Sequence, residues 1–86
     1  MRDLIERLER GEASNLLDVQ IEVALFKPDE THFDAEPNSA RTKVIYSNRD
    51  GSFQTHWAPD WSLRPAEAIA TLKAKAASDG AGRKGA

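Results

Sequence analysis

The feature that most constrains the fold is a pair of short strand-like segments joined by a turn signal. The first segment, residues 42–47, is rich in β-branched and aromatic residues. In the second, residues 53–57, apolar and polar side chains alternate with the period of a half-buried strand. Between them, Asp50 and Gly51 can supply the positive-φ positions that a tight hairpin needs. The sequence therefore predicts an antiparallel β-hairpin, which is marginally stable until other elements pack on it.

Helical segments on both sides of the hairpin can cover it. Apolar spacing predicts a first helix that stops at Gly11, and a second helix that starts at the N-cap Ser14 and ends before Pro28. A third helix is predicted to start at Pro65 and to end at Gly80. The second helix is predicted to bury Leu17, Ile21, Ala24 and Leu25, with Asp18, Gln20 and Glu22 pointing elsewhere.

The segment between the second helix and the hairpin has no periodic pattern. Residues 27–40 contain two prolines and four acids, and they are predicted to form a long surface loop with room for a short strand at 31–33. A third strand for the hairpin would come from residues 31–33 or from a second copy of the chain.

Taken together, these elements predict an α+β fold in which an antiparallel β-hairpin or small sheet is packed by two to three helices. Residues 1–77 are expected to form a single small domain. Residues 78–86 are small, glycine-rich and basic, and we expect them to form a disordered tail.

Composition removes several classes of function. The chain of 86 residues has no cysteine, which excludes disulfides, cysteine-ligated zinc, thiol catalysis and iron–sulfur clusters. A formal net charge of −2 argues against a dedicated duplex-DNA binder. No apolar run approaches the length of a membrane span, and no signal peptide is recognisable. We therefore expect a cytoplasmic protein without a membrane partner.

Two features of the sequence are candidates for metal binding or catalysis. His32, Asp34 and Glu36 alternate, as metal ligands on an extended segment would, although a solvated acidic loop explains them as well. His56 has the residue type of a general base, but no nucleophile elbow or glycine-rich phosphate loop accompanies it. The sequence thus predicts no enzyme, no catalytic residue, no metal and no cofactor, with His56 as an exposed strand residue.

The aromatic residues of the hairpin region suggest either a core or a binding surface. Phe53 and Trp57 are predicted to pack under the helices, whereas Trp61 is expected to be partly exposed and, with Arg64, to anchor a protein interface. The local excess of basic residues over 41–64 also suits stacking on single-stranded nucleic acid.

The acids of the predicted loop offer a different binding mode. Residues 27–36 hold one lysine and four acids, which could mimic the phosphates of a nucleic acid or could simply be solvated. The residues predicted to bind a partner are Asp29, Glu30, Asp34, Glu36, Arg49, Trp61 and Arg64.

Three segments resemble the phage alpha-beta-alpha sandwich domain family. They are the Leu-Asp-x-x-Ile-x-x-Ala-Leu helix at 17–25, the pair Tyr46-Ser47 followed by Asp50, and the Pro-Ala-x-Ala-Ile helix that opens the segment 65–74. The resemblance covers roughly residues 1–77, and the aspartate of its middle motif comes one residue earlier here. It implies a small α+β fold and a phage or prophage source, and it carries no catalytic residues.

With this resemblance, the expected function is that of a non-catalytic phage or prophage accessory protein. Its partner would be a host protein or protein complex in the host cytoplasm. Inhibition of a host defence system, as by an anti-CRISPR protein, is the expected outcome of that binding. Two alternatives stay open: a small single-stranded nucleic-acid-binding accessory protein, and a phage assembly component that forms a homodimer or larger homo-oligomer.

Overall fold

The computed structural model describes the backbone of residues 2–85 and the side chains of residues 2–78. Its elements in chain order are α1 (Arg2–Glu9), α2 (Asn15–Leu25), β1 (His32–Pro37), β2 (Lys43–Asn48), β3 (Phe53–Trp57), a 3₁₀ turn (Trp61–Leu63) and α3 (Pro65–Gly85). The three strands form one antiparallel sheet in the order β1-β2-β3. The predicted α+β class is therefore confirmed.

The start of α2 is fixed by the predicted N-cap. Ser14 has extended backbone, and its hydroxyl accepts a hydrogen bond from the Leu17 amide at 3.1 Å. The helix ends at Leu25 because Phe26 returns to extended backbone two residues before Pro28.

Helix α2 lies at the centre of the molecule, because it contributes to two buried clusters. One joins the three helices, and the other joins α2 to the sheet. The helical cluster contains Leu8, Leu17, Ile21, Ala68 and Leu72, and the sheet cluster contains Val19, Ala35, Val44 and Ala58. The predicted stripe of Leu17 and Ile21 is confirmed, and Val19 adds a second apolar side that faces the sheet.

Asp18, predicted to point away from the apolar stripe of α2, is nevertheless a buried residue. Its side chain is buried, and Oδ1 accepts a hydrogen bond from the Ser62 amide at 2.7 Å. A carboxylate can lie there because the 3₁₀ turn presents a backbone donor that would otherwise be unpaired.

The loop predicted over residues 27–40 is wrong in its central part. Residues 32–37 form β1, which pairs with β2 through an irregularity between His32 and Asp34. The strand predicted at 31–33 thus exists but is longer and shifted. Pro37 is accommodated because it ends an edge strand.

The predicted hairpin is confirmed. The Asn48 amide donates to the Ser52 carbonyl at 2.8 Å, and Gly51 has a φ of 94°. A three-residue loop that closes on a left-handed glycine is a common hairpin connection. This loop sets the register in which Ser47 lies opposite Phe53.

Helix α3 begins at Pro65 as predicted, but its backbone is helical through Gly85 rather than ending at Gly80. The side chains beyond Ser78 and all of Ala86 lie outside the described residues. The disorder predicted for residues 78–86 therefore stays a prediction.

Candidate functional site

The sheet has one face against α2 and one face that no described helix covers. Residues paired across antiparallel strands point to the same side, so the register sorts the side chains between the two faces. We call the side packed on α2 the inner face and the opposite side the outer face. The outer face consists of Asp34, Glu36, Lys43, Ile45, Ser47, Phe53, Thr55 and Trp57.

Large aromatic side chains are exposed on the outer face. Phe53 is 72% exposed and Trp57 is 66% exposed, with Thr55 between them on the same strand. The Lys43 ammonium lies 4.7 Å from the centre of a Trp57 ring, a cation–π contact. Adjacent exposed apolar side chains that are bordered by polar residues are characteristic of interaction sites.

The charged residues of the outer face are acidic on the edge strand β1 and basic on the central strand β2. Asp34 and Glu36 lie on β1, and both are exposed. The cation Lys43 lies on β2 beside the aromatic row of β3. The outer face therefore offers an acidic edge and an aromatic edge, about two strand spacings apart.

Both of these edges belong to strands with one unpaired side. The strand order leaves β1 and β3 at the margins of the sheet, and every residue of β3 is exposed. Among the described residues no further strand pairs with β3. Its free backbone groups are available for hydrogen bonds to an added segment.

The core position predicted for Phe53 and Trp57 is wrong, and both are more exposed than Trp61. Phe53 and Trp57, predicted to be core, are exposed, whereas Trp61 is half-buried against the helical cluster. Trp61 Nε1 donates to Glu22 Oε1 at 2.9 Å. The hairpin register explains the exposure of Phe53 and Trp57, because it turns the apolar residues of β3 away from α2.

The residues predicted to bind a partner fall into three separate places. Asp34 and Glu36 lie on the outer face. The remaining predicted residues do not join them there. Asp29, Glu30 and Arg49 lie near the β2–β3 turn, and Trp61 and Arg64 lie on and after the 3₁₀ turn, on the side of the inner face.

Asp29 is engaged in local structure rather than free. Its Oδ1 accepts from the amides of Thr31 at 2.8 Å and His32 at 2.7 Å, and these bonds hold the pKa of the Asp29 carboxyl below its usual range. Arg49 Nε donates to the Asp29 carbonyl at 2.8 Å. Asp29 and Arg49 therefore tie the start of β1 to the turn after β2.

A second candidate region lies on the inner face, beyond the end of α2. Tyr46 is central to it, because its hydroxyl donates to Glu22 Oε2 at 2.7 Å and its ring contacts both His32 and His56. Burial and the bond to Glu22 raise the pKa of Tyr46 well above its ordinary value. His56 is exposed, as predicted.

The sequence predicted neither the exposed outer face nor the contact of both His32 and His56 with Tyr46. The signal lies in the hairpin register, which pairs polar Gln54 with Tyr46 and polar His56 with Val44. These pairs place the polar residues of β3 on the inner face and its apolar residues on the outer face.

The described residues contain no group of three or more His, Asp or Glu side chains placed to hold a metal ion. The alternating residues His32, Asp34 and Glu36 lie on β1, but the irregularity after His32 puts that side chain on the inner face and the two acids on the outer face. The metal patch considered from the sequence is therefore not assembled.

Comparison of the chain with protein-family models, with curated proteins and with solved structures finds no match. None of the described helices is long and apolar enough to cross a lipid bilayer.

Proposed function

We propose that the protein is a non-catalytic binding protein whose outer sheet face docks onto a partner protein. The observation that supports the proposal is the exposure of Phe53 and Trp57 on a face with a well-formed sheet beneath it. Aromatic residues supply large contact area for little loss of conformational entropy, and they are enriched at the centres of protein interfaces.

The charge of the outer face indicates the chemistry of the partner. Apolar side chains of the partner would pack on Phe53 and Trp57, and basic side chains would lie over Asp34 and Glu36. These two acids would repel the phosphates of a nucleic acid that lay across the same strands. A protein surface with a basic margin fits this face better than a nucleic acid does.

The resemblance to the phage alpha-beta-alpha sandwich domain supplies the biological setting. In this setting the protein is a phage or prophage accessory protein that acts in the host cytoplasm on a host protein or complex. Inhibition of a host defence system, as by an anti-CRISPR protein, is the consequence that we propose for that binding.

The second candidate function is binding of single-stranded nucleic acid. It is supported by Lys43 beside Trp57, because bases stack on exposed aromatic rings that are flanked by cations. Substitution of the two acids of β1 distinguishes protein binding from nucleic-acid binding. Replacing Asp34→Asn and Glu36→Gln removes attraction for a basic protein and removes repulsion for a phosphate backbone.

The test is quantitative capture from lysate of the natural host after nuclease treatment, with matched variants. We expect wild type to retain one host complex and the F53S/W57S variant to lose it. The L63S variant is the control, because Leu63 is 68% exposed but lies outside the outer face. Equal capture by wild type and F53S/W57S would overturn the proposal.

The charge variant D34N/E36Q completes the test. We expect it to capture the host complex more weakly than wild type. Stronger binding of a single-stranded oligonucleotide, with loss of captured material on nuclease treatment, would transfer the function to nucleic-acid binding. Recovery of the protein alone, together with a stable homodimer by light scattering, would favour the assembly component instead.

A further inference from the structure

A groove lies on the inner face of the sheet, on the opposite side from the proposed docking surface. It has a volume of about 440 Å³, within the range that small-molecule sites occupy. It lies where α2 ends and the sheet continues uncovered. Its walls are formed by Glu22, Phe26, Lys27, Asp29, His32, Tyr46, Gln54 and His56.

Three aromatic rings surround that of Tyr46 in this groove. The ring centre of Tyr46 lies 6.2 Å from that of Phe26, 6.0 Å from that of His32 and 5.9 Å from that of His56. The three neighbours are inclined to Tyr46 by 46° to 67°, so they surround its ring rather than stacking on it. Such walls suit a flat ligand ring, which gains contact with several π-faces.

The two carboxylates of the groove are satisfied within the protein. Glu22 accepts one hydrogen bond on each oxygen, from Tyr46 and from Trp61. Asp29 accepts two backbone amides, and its Oδ2 lies 3.4 Å from His32 Nδ1. A proton on Nδ1 faces Asp29, which leaves His32 Nε2 as the ring atom available to a ligand.

Three cationic or ionisable groups remain for a ligand. Within the part of the chain that the structure describes, no hydrogen bond or ion pair engages the Lys27 ammonium or the His56 imidazole. Together with His32 Nε2, they provide three donors when the histidines are protonated. A phosphate group, with three terminal oxygens, matches this set better than a single neutral acceptor.

We propose that the groove binds a planar aromatic ligand that carries a phosphate group, of the size of a nucleoside monophosphate. The ring would lie against Tyr46 and Phe26, and the phosphate would meet Lys27, His32 and His56. The site does not depend on the proposed docking function, because no outer-face residue lines it.

The experiment is an NMR titration of the full chain with adenosine 5′-monophosphate, with adenosine and inorganic phosphate as separate arms. We expect saturable shifts at Tyr46, His32 and His56, which line the groove. Adenosine alone and phosphate alone are expected to bind at least about 10-fold more weakly than the monophosphate.

Single substitutions test which residues of the groove bind the monophosphate. K27Q and H56Q are expected to weaken binding of the monophosphate, each about 5-fold or more, since each removes one donor to the phosphate. K73Q, at an exposed position of α3 away from the groove, serves as the control that keeps wild-type affinity. Absence of saturable shifts, binding of inorganic phosphate as tight as that of the monophosphate, or wild-type affinity in both K27Q and H56Q would overturn the proposal.

Discussion

The inner and outer faces of the same three strands differ in how they use apolar residues. On β2 the inner residue Val44 is fully buried under α2. On β3 the inner residues are Gln54 and His56, while the large apolar residues Phe53 and Trp57 point outward. The sheet therefore packs its core with β2 and presents the apolar side of β3 to solvent. An alternating strand has an apolar side, but only its register decides whether that side is core.

The largest expected effect comes from charging the covered face. V44D would bury an unpaired carboxylate, and we expect it to lower the free energy of unfolding by about 3–5 kcal/mol or to prevent folding. The matched variant T55D places the same group on the outer face and is expected to cost less than about 1 kcal/mol. Urea unfolding followed by circular dichroism measures both. Similar losses in the two variants would contradict the difference between the faces.

A smaller effect is expected from removing a buried acid. D18A leaves the Ser62 amide without its partner, which should cost about 1–3 kcal/mol. D34A, which removes an exposed acid of the outer face, should change stability by less than about 0.5 kcal/mol. If D18A unfolds at the same urea concentration as D34A, the bond from Ser62 to Asp18 does not support the fold.

An alkaline titration reports on the inner face through the ionisation of Tyr46, because Tyr46 is the one tyrosine of the chain. Its pKa is raised, so the folded state holds the phenol proton more tightly than the unfolded state. That contribution to stability is complete below the unfolded pKa of about 10 and is lost as the pH rises above it.

Absorbance at the phenolate band, recorded on folded protein and in urea, measures the two midpoints. E22Q should bring the folded midpoint down toward the unfolded one, while E30Q, an exposed acid away from Tyr46, should not move it. Coincident midpoints in the wild type would show that Tyr46 is neither buried nor bonded to Glu22.

The smallest effect is a difference in fluorescence between the two tryptophans. W61F leaves only Trp57, and its fluorescence should be red-shifted and readily quenched by acrylamide, as for an exposed indole. W57F leaves only Trp61, which is half-buried and bonded to Glu22, so its emission should be bluer and less quenched. Bluer and less quenched emission from Trp57 than from Trp61 would show that Trp57 lies in the core.

Local features of the fold could be predicted from the sequence, because short-range chemistry determines them. Ser14 caps α2, Gly51 closes the hairpin and Pro65 opens α3, each through backbone preferences that a single residue expresses. The strand β1 was not predicted at its full length, because its sequence is acidic and its partner β2 supplies the pairing. Its conformation is a tertiary effect rather than a local one.

The candidate sites were only partly predictable for the same reason. Asp34 and Glu36 are predicted from the sequence to bind a partner, and the strand register places both on the outer face. Phe53 and Trp57 were assigned to the core because aromatic residues in a small domain are usually needed there. The convergence of His32 and His56 on Tyr46 requires the register of three strands, which neither histidine signals in its own neighbourhood.

The central claim is that Phe53 and Trp57 serve binding rather than folding, and equilibrium unfolding of F53S/W57S tests it most directly. Urea denaturation followed by circular dichroism should give a free energy of unfolding within about 1.5 kcal/mol of wild type, the scale of exposed cross-strand pairs. A loss above about 4 kcal/mol is the scale of aromatic residues removed from a core, and it would contradict the account.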